Sequence, residues 1–267
     1  MILCFATRRY WPLNNASTFD LVDQVAIVTG GTRGLGRAVA EALTAAGCVV
    51  TVCGRTPPAG LQTGIEFQQA DIRDPDQVKA LVDAVVSKHG RIDILVNNAG
   101  GSPSADAASS SPRFIDAILK LNLVGPLYMA QAVYPYMAKA HKGSIVNIAS
   151  VSGVRPSPGT AVYGAAKAGL LNLTQSLAQE WGGDGIRVNA IVAGLMITEN
   201  AAATYGDTAR QDSVGRSMPL QRMGNGDDLA GAVLYLCSPV AAWVSGARLE
   251  VDGGGERPYF LDLVKGG

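Results

Sequence analysis

The sequence predicts a doubly wound α/β fold, in which a parallel sheet of about seven strands carries helices on both faces within a single domain. Its 267 residues are 48% hydrophobic, which is enough to bury one sizeable core. Short apolar runs rich in β-branched residues alternate with longer amphipathic segments, and this alternation is typical of right-handed βαβ units. No internal repeat and no second composition regime interrupts the pattern.

Most of the predicted strands are short apolar runs rich in β-branched residues, as expected for strands of a parallel sheet that are buried on both faces. They cover residues 25–29, 49–53, 65–69, 92–96, 144–148, 187–192 and 248–251. The predicted helices between and after them show apolar residues at helical spacing. They cover residues 37–46, 75–89, 112–138, 163–181 and 227–237.

The domain is predicted to span residues 19–255. Residues 1–18 are predicted to be a flexible N-terminal extension, because no apolar segment of a secretory signal follows Arg8 and Arg9. Residues 256–267 form a predicted C-terminal tail. Residues 198–218 are polar and weakly periodic, and they follow a strand at the edge where ligands bind in such sheets. We expect them to form a mobile substrate lid, with a plain pair of surface helices as the alternative.

The composition argues against several classes of function. Lys plus Arg and Asp plus Glu both total 22, so the formal net charge is zero, and a nucleic-acid partner is not expected. No stretch reaches the roughly 18 apolar residues of a membrane helix. Four scattered cysteines (Cys4, Cys48, Cys53 and Cys237) form no C-x-x-C pair. Cys48 and Cys53 lie in an apolar run and are predicted to be core residues rather than redox or metal ligands. A reducing, cytoplasmic setting and no metal site follow as expectations.

A glycine-rich turn, T-G-G-T-R-G-L-G at residues 29–36, joins the first strand to the first helix. Gly30 permits the tight turn, Gly34 lets backbone amides approach a pyrophosphate, and Gly36 allows close packing of the helix. The N–H groups at the helix N-terminus and their partial positive charge favour a phosphate group. The turn therefore predicts a dinucleotide site.

The spacing T-G-x-x-x-G-x-G differs from the ordinary G-x-G-x-x-G of a Rossmann-type sheet. It resembles the core-type members of the short-chain dehydrogenase/reductase family. The resemblance implies that Thr32, Arg33 and Leu35 of the turn belong to the cofactor site. It also implies that Asp71, after the third strand, accepts the adenine amino group and that Ile72 packs on the adenine ring.

The end of the second strand predicts the nucleotide. NAD-selective sites carry a carboxylate there, which binds the ribose hydroxyls and repels a 2′-phosphate. This chain has Gly54 at that place, followed by Arg55, while Arg33 lies in the glycine turn. Two guanidinium groups with no acid nearby favour NADP(H), with two solvated surface arginines as the alternative.

Four residues are the candidate catalytic group. Tyr163 and Lys167 are four residues apart in a predicted helix and so share one face. The lysine ammonium, together with the positively charged nicotinamide ring of NADP⁺, is expected to lower the phenol pKa from ~10 towards neutrality. Ser150, at the end of the fifth strand, can stabilise a developing alkoxide. The resemblance implies that Asn122 kinks its helix and anchors a water of the proton relay.

The resemblance extends to the N-N-A-G segment after the fourth strand and to the residues after the sixth strand. It implies that members of both segments line the cofactor cleft, together with Tyr163 and Lys167. These members are Asn98, Ala99, Gly100, Met196 and Thr198.

The family resemblance implies NADPH-dependent reduction of a ketone or 3-oxoacyl thioester, with Tyr163 as the proton donor. Two alternatives stay open. One is a steroid or sugar alcohol dehydrogenase that works in the oxidative direction, and the other is a non-catalytic NADP-sensing regulator. The expected partners are a small-molecule carbonyl or alcohol and further copies of the chain, as a tetramer or a dimer.

Overall fold

The computed structural model of the chain describes residues 19–199, 201–258, 260 and 264. Its centre is a seven-stranded sheet in which every neighbouring pair is parallel. The strand order is β3-β2-β1-β4-β5-β6-β7, so the order reverses between β1 and β4. The predicted doubly wound parallel sheet and its strand count are confirmed.

The strands agree with the predicted segments to within two residues at each end. They are β1 (Val25–Thr29), β2 (Val49–Gly54), β3 (Ile65–Gln69), β4 (Ile94–Asn97), β5 (Gly143–Ser150), β6 (Ile186–Ala193) and β7 (Arg248–Val251). Every residue of β1 and β4 is buried, as expected for the central strands of a sheet that is covered on both faces.

Eight helices complete the described part of the chain. They are α1 (Gly34–Ala45), α2 (Pro75–His89), α3 (Pro112–Leu119), α4 (Gly125–Ala140), α5 (Ala161–Trp181), α6 (Ala201–Tyr205), α7 (Thr208–Ser217) and α8 (Gly226–Cys237). The single helix predicted over residues 112–138 is wrong in one respect. A π-helical turn, Lys120–Val124, separates α3 from α4.

Two apolar cores lie on opposite faces of the sheet. One core packs α1 and α8 against the sheet, through side chains such as Leu43 and Val233. The other packs α2, α4 and α5 against the opposite face, through side chains such as Leu81, Met129 and Leu177. Because both faces are covered, ligands can reach the sheet only at its edges, and the ends of the strands define the candidate site.

Residues 198–218 contain α6 and α7, which are more regular than the weak periodicity of this segment indicates. Asp207 caps α7 by accepting a hydrogen bond from the Arg210 N–H at 3.0 Å. The mobile lid predicted for these residues stays a prediction. The predicted flexible extension, residues 1–18, and most of the predicted tail lie outside the described residues.

Candidate active site

The glycine-rich turn at residues 29–36 has the backbone that its sequence predicts. Gly30 and Gly34 have φ angles of +64° and +54°, which glycine adopts without strain. A Cβ on Gly36 would lie 2.3 Å from Asn98 Nδ2 and 2.4 Å from the Gly30 carbonyl oxygen. Glycine is therefore required for α1 to approach the end of β4 this closely.

The N-terminus of α1 lacks a cap from its own segment. The Arg33 side chain makes no capping hydrogen bond, and the first turn contains no acidic residue. The Gly34 N–H instead donates to Glu199 Oε1 at 3.0 Å. A helix N-terminus that takes an anion from a distant part of the chain also suits a phosphate group, so the residues present fit a dinucleotide.

Asn98 and Ala99 hold the end of β4 against the glycine turn. The Asn98 side chain donates to the carbonyl oxygens of Thr29 and Gly30 at 2.9 and 3.2 Å. The N–H groups of Asn98 and Ala99 both donate to Thr29 Oγ1 at 3.0 Å. The predicted cofactor residues of the two segments are thus brought together by direct hydrogen bonds.

Gly54 lies beside the glycine turn, since a Cβ on it would lie 3.5 Å from Thr32 Oγ1. Arg55 directly follows Gly54, Arg33 directly follows Thr32, and both arginine side chains are exposed. Asp71 is close enough to Arg55 for their charges to interact. The sequence suggests a site without acidic residues beside the two arginines. The structure differs, because Asp71, which follows the neighbouring strand β3, lies near Arg55.

The Asp71 carboxylate is already engaged. The Arg73 Nε donates to its Oδ1 at 2.9 Å, and a second bond joins Arg73 Nη2 to Oδ2. Its hydrogen bonds with Arg73 hold the pKa of Asp71 below the usual value. Ile72 is 3% exposed and packs against Gly125 of α4. The ring-packing role predicted for Ile72 stays a prediction.

Tyr163 lies in the first turn of α5, close enough to the Ser150 hydroxyl for that hydroxyl to act on its pKa. Ser150 ends β5, and its Oγ accepts from the Ser152 N–H at 3.2 Å. Burial raises the pKa of Tyr163, while the Ser150 hydrogen bond opposes that rise. In the protein without cofactor, removal of the phenol from water therefore outweighs the neighbouring groups, and the lowering expected beside bound NADP⁺ stays a prediction.

Lys167 is one helical turn beyond Tyr163 and is buried, with 3% of its surface exposed. Its Nζ lies 5.6 Å from the centroid of the Tyr163 ring and donates to the Ile148 carbonyl oxygen at 2.7 Å. Burial lowers the pKa of Lys167 to about 8. A Cβ on Gly100 would lie 3.1 Å from Nζ, so that glycine gives the lysine its space.

Asn122 is fully buried in the π-helical turn. Its Nδ2 donates to the carbonyl oxygens of Gly101 and Ile118, each at 3.0 Å. Its Oδ1 accepts from the Gly101 N–H at 2.8 Å. The side chain is therefore committed to the backbone beside the cleft, which is the role of a positioning residue.

Met196 and Thr198 are the two cofactor-binding residues predicted after β6, and of these Thr198 packs against the glycine turn. A Cβ on Gly34 would lie 3.8 Å from the Thr198 Cβ. Met196 is 7% exposed and forms an isolated bridge with Gly224. Its side chain packs tightly on that glycine, so it belongs to the core.

Tyr205 of α6 is a polar group near Tyr163 that sequence reasoning missed. It is close enough to Tyr163 for their charges to interact, and burial raises the pKa of Tyr205. Arg155 and Glu256, which form an ion pair, lie close enough to Tyr205 to act on it in turn. Tyr205 belongs to no motif, and only the fold brings it to Tyr163.

The remaining negative predictions can be examined within the described residues. There, no group of three or more possible metal ligands occurs, and no helix is both long and apolar enough to cross a membrane. Cys48, Cys53 and Cys237 are buried and unpaired, and burial raises the pKa of each thiol to about 12. The core role predicted for Cys48 and Cys53 is confirmed. Cys237 also lies in the core, while Cys4 lies outside the described residues.

The parallel sheet, with its glycine-rich turn at the reversal of strand order, defines a dinucleotide-binding oxidoreductase that acts on CH–OH or C=O groups. A family model described as enoyl-(acyl carrier protein) reductase matches residues 30–256. The chain belongs to the short-chain dehydrogenase/reductase family, as the resemblance of its motifs predicts.

Known relatives include enzymes of both reaction directions. A 3-oxoacyl-[acyl-carrier-protein] reductase of Thermotoga maritima is 34% identical over 88% of this chain and 98% of its own length. A 2-dehydro-3-deoxy-D-gluconate 5-dehydrogenase of Escherichia coli is 35% identical over 89% and 97%. The ligand-free structure of an aldohexose dehydrogenase from Thermoplasma acidophilum matches with a TM-score of 0.83 and 33% identity, over 88% of this chain and 95% of that one.

Proposed function

We propose that the protein reduces a ketone or a 3-oxoacyl thioester to a secondary alcohol, with NADPH as the hydride donor and Tyr163 as the proton donor. The observation that carries this proposal is the arrangement of Ser150, Tyr163 and Lys167 at the ends of β5 and α5. They lie at the same edge of the sheet as the α1 N-terminus. NADPH, when bound, supplies the hydride.

The side chains of this site have distinct parts in the proposed reaction. Ser150 and Tyr163 both hydrogen-bond the substrate oxygen, and the Tyr163 hydroxyl gives it a proton as the carbonyl becomes an alcohol. The raised pKa of Tyr163 keeps the phenol protonated near pH 7, which suits a proton donor. Lys167 holds positive charge beside the phenol as it loses its proton.

The backbone around these side chains keeps them in place. Asn122 holds Gly101, the residue after Gly100, through two hydrogen bonds, and a third joins Asn122 to the Ile118 carbonyl oxygen of its own helix. The glycine turn and the α1 N-terminus bind the pyrophosphate, and Arg33 and Arg55 bind the 2′-phosphate. These assignments depend on the fit of the residues to NADPH and on the family resemblance.

A panel of substrates tests the reaction. NADPH oxidation would be followed with simple ketones, 3-oxoacyl thioesters and quinones at equal concentration. We expect turnover of at least one ketone or 3-oxoacyl thioester. No turnover of any carbonyl, together with efficient NADP⁺ reduction by sugars, would favour the oxidative alternative. That second function is supported by the two sugar-type dehydrogenases among the relatives.

Arg55→Ala should weaken NADPH binding by a factor of about 10–100, because a charge-assisted hydrogen bond to phosphate contributes about 1.5–3 kcal/mol. NADH binding should change little, since NADH lacks the 2′-phosphate. Quenching of tryptophan fluorescence by each nucleotide measures both effects. Arg248→Ala, an exposed arginine of β7, is the matched control. Tighter binding of NADH than NADPH by the unaltered protein would refute the nucleotide assignment.

The homo-oligomer and the cytoplasmic location stay predictions drawn from the family. Within the described residues, β7 is the last strand of the sheet and pairs only with β6. Its outer edge is therefore available to a second copy of the chain, which supports the predicted dimer or tetramer.

A further inference from the structure

Glu199 is a charged residue at the nucleotide site to which the proposed reaction gives no task. It directly follows Thr198, before α6. Its Oε1 accepts from the Gly34 N–H at 3.0 Å, and its Oε2 would lie 3.2 Å from a Cβ on Gly34. The carboxylate thus lies directly against the first residue of α1.

The Glu199 carboxylate acts as the cap that the N-terminus of α1 does not receive from its own segment. Neither the Arg33 side chain nor an acidic residue of the first turn caps the helix. The Gly34 N–H, followed by lesser effects of Arg33 and Arg37, holds the pKa of Glu199 below its usual value. The carboxylate is therefore ionised at neutral pH, and it places a negative charge where helix N-termini stabilise anions.

We propose that Glu199 occupies the anion position at the α1 N-terminus in the cofactor-free protein, so that the pyrophosphate of the nucleotide must displace it. This inference rests on the proposed binding of a dinucleotide at the glycine turn. Both anions require the Gly34 N–H, and one donor cannot serve both at full strength. Glu199 therefore lowers the affinity for every ligand that carries the pyrophosphate.

Displacement of Glu199 would also move the lid. Thr198 packs over Gly34 beside the Glu199 carboxylate, and α6 begins only two residues after Glu199. Release of the carboxylate frees the backbone that leads into α6 and α7. Nucleotide binding and the position of the lid are then linked, because the same contact opposes both changes.

Three variants separate this contact from general repulsion between charges. Glu199→Gln removes the charge, and Glu199→Asp keeps the charge but shortens the side chain so that it no longer reaches Gly34. Glu41→Gln is the matched control, because Glu41 pairs with Arg37 on the same helix without contacting the N-terminus. None of these variants alters a residue placed in the proton-transfer machinery.

The first measurement is the dissociation constant of NADPH, by titration calorimetry. Glu199→Gln and Glu199→Asp should both bind NADPH about 3–10 times more tightly than the unaltered protein, as expected for loss of a competing helix-terminus interaction. Glu41→Gln should bind as the unaltered protein does. The affinity for 2′-AMP, which has no pyrophosphate, should be the same in all four proteins.

The second measurement is tryptic cleavage of the lid at Arg210 and Arg216 without nucleotide. We expect faster cleavage in both Glu199 variants and an unchanged rate in Glu41→Gln. Unchanged NADPH affinity and cleavage in both Glu199 variants would overturn the inference. Tighter binding in Glu199→Gln alone would also overturn it, because it would indicate charge repulsion without displacement. Failure of the unaltered protein to bind any dinucleotide would instead refute the proposed function, and this inference with it.

Discussion

Tyr163→Phe is expected to lower the rate of carbonyl reduction by a factor of about 10²–10⁴, the usual contribution of a positioned general acid. The substitution removes only the hydroxyl, so the ring still packs beneath the Lys167 ammonium. Single-turnover oxidation of enzyme-bound NADPH, with a substrate identified in the panel, measures the loss. NADPH affinity should stay the same, which separates a chemical defect from a binding defect.

Tyr235→Phe is the matched control for this experiment. Tyr235 lies near the end of α8. The carbonyl oxygen of the next residue, Leu236, accepts a hydrogen bond from Ser144 Oγ at the beginning of β5. That end of the sheet is opposite to the candidate site, so the control should retain full activity. Full turnover by Tyr163→Phe would contradict the assignment of Tyr163 as the proton donor.

Lys167→Met is expected to abolish turnover and at the same time to stabilise the cofactor-free protein. The Lys167 ammonium is buried against the Ile148 carbonyl oxygen, and its pKa falls from 10.5 to about 8. Such a shift corresponds to roughly 3 kcal/mol of unfavourable burial at neutral pH. Methionine fills similar volume without a charge, although it leaves the Ile148 carbonyl with one partner fewer. We expect a net gain of about 1–2 kcal/mol, or a few degrees in Tm.

The pH dependence of unfolding tests whether the stability gained in Lys167→Met comes from removal of the buried ammonium. Folded Lys167 loses its proton near pH 8, whereas an unfolded lysine holds it until about pH 10.5. Between these two pH values, Lys167 holds its proton in the unfolded chain but not in the folded protein. The free energy of unfolding of the unaltered protein therefore rises with pH across this range. The advantage of Lys167→Met should be complete below about pH 8 and should shrink above it. Denaturant unfolding at a series of pH values measures this difference.

Lys142→Met serves as the comparison, because Lys142 is exposed and has no burial to relieve. It should change neither the stability at pH 7 nor its pH dependence. A Lys167→Met variant that is less stable than the unaltered protein at pH 7 would show that the buried ammonium contributes to folding. Our account of its pKa would then be wrong.

Most of the fold could be predicted from the sequence because the pattern and the fold depend on the same physical cause. Strands buried on both faces are mostly apolar along their length, and β1, which is buried throughout, agrees with its predicted bounds at both ends. The helix α2 also agrees, since Asp74 caps it and Gly90 ends it in the left-handed conformation. The residue pattern gives no sign of the interruption at Lys120–Val124, because all five of its residues are compatible with an α-helix. Only the family resemblance, which implies that Asn122 kinks its helix, indicated it.

The candidate site was less predictable, because its details depend on contacts between distant segments. The positions of Ser150, Tyr163 and Lys167 follow from motifs. The rise in the Tyr163 pKa does not, since spacing along a helix says nothing about desolvation. Glu199 reaches Gly34 across 165 residues of chain, and no local pattern distinguishes it from a solvated carboxylate.

The π-helical turn has a consequence for how the position of Asn122 is encoded. An α-helix advances about 100° per residue, and a π-helical turn arises from one extra residue within such a helix. The extra residue puts α3 and α4 out of phase, so that each presents a different stripe to the protein. Deletion of one residue from Lys120–Val124 would restore a continuous helix, and Asn122 could no longer both bind Gly101 and keep the two helices in register with the sheet. At this point the number of residues matters as much as their identity.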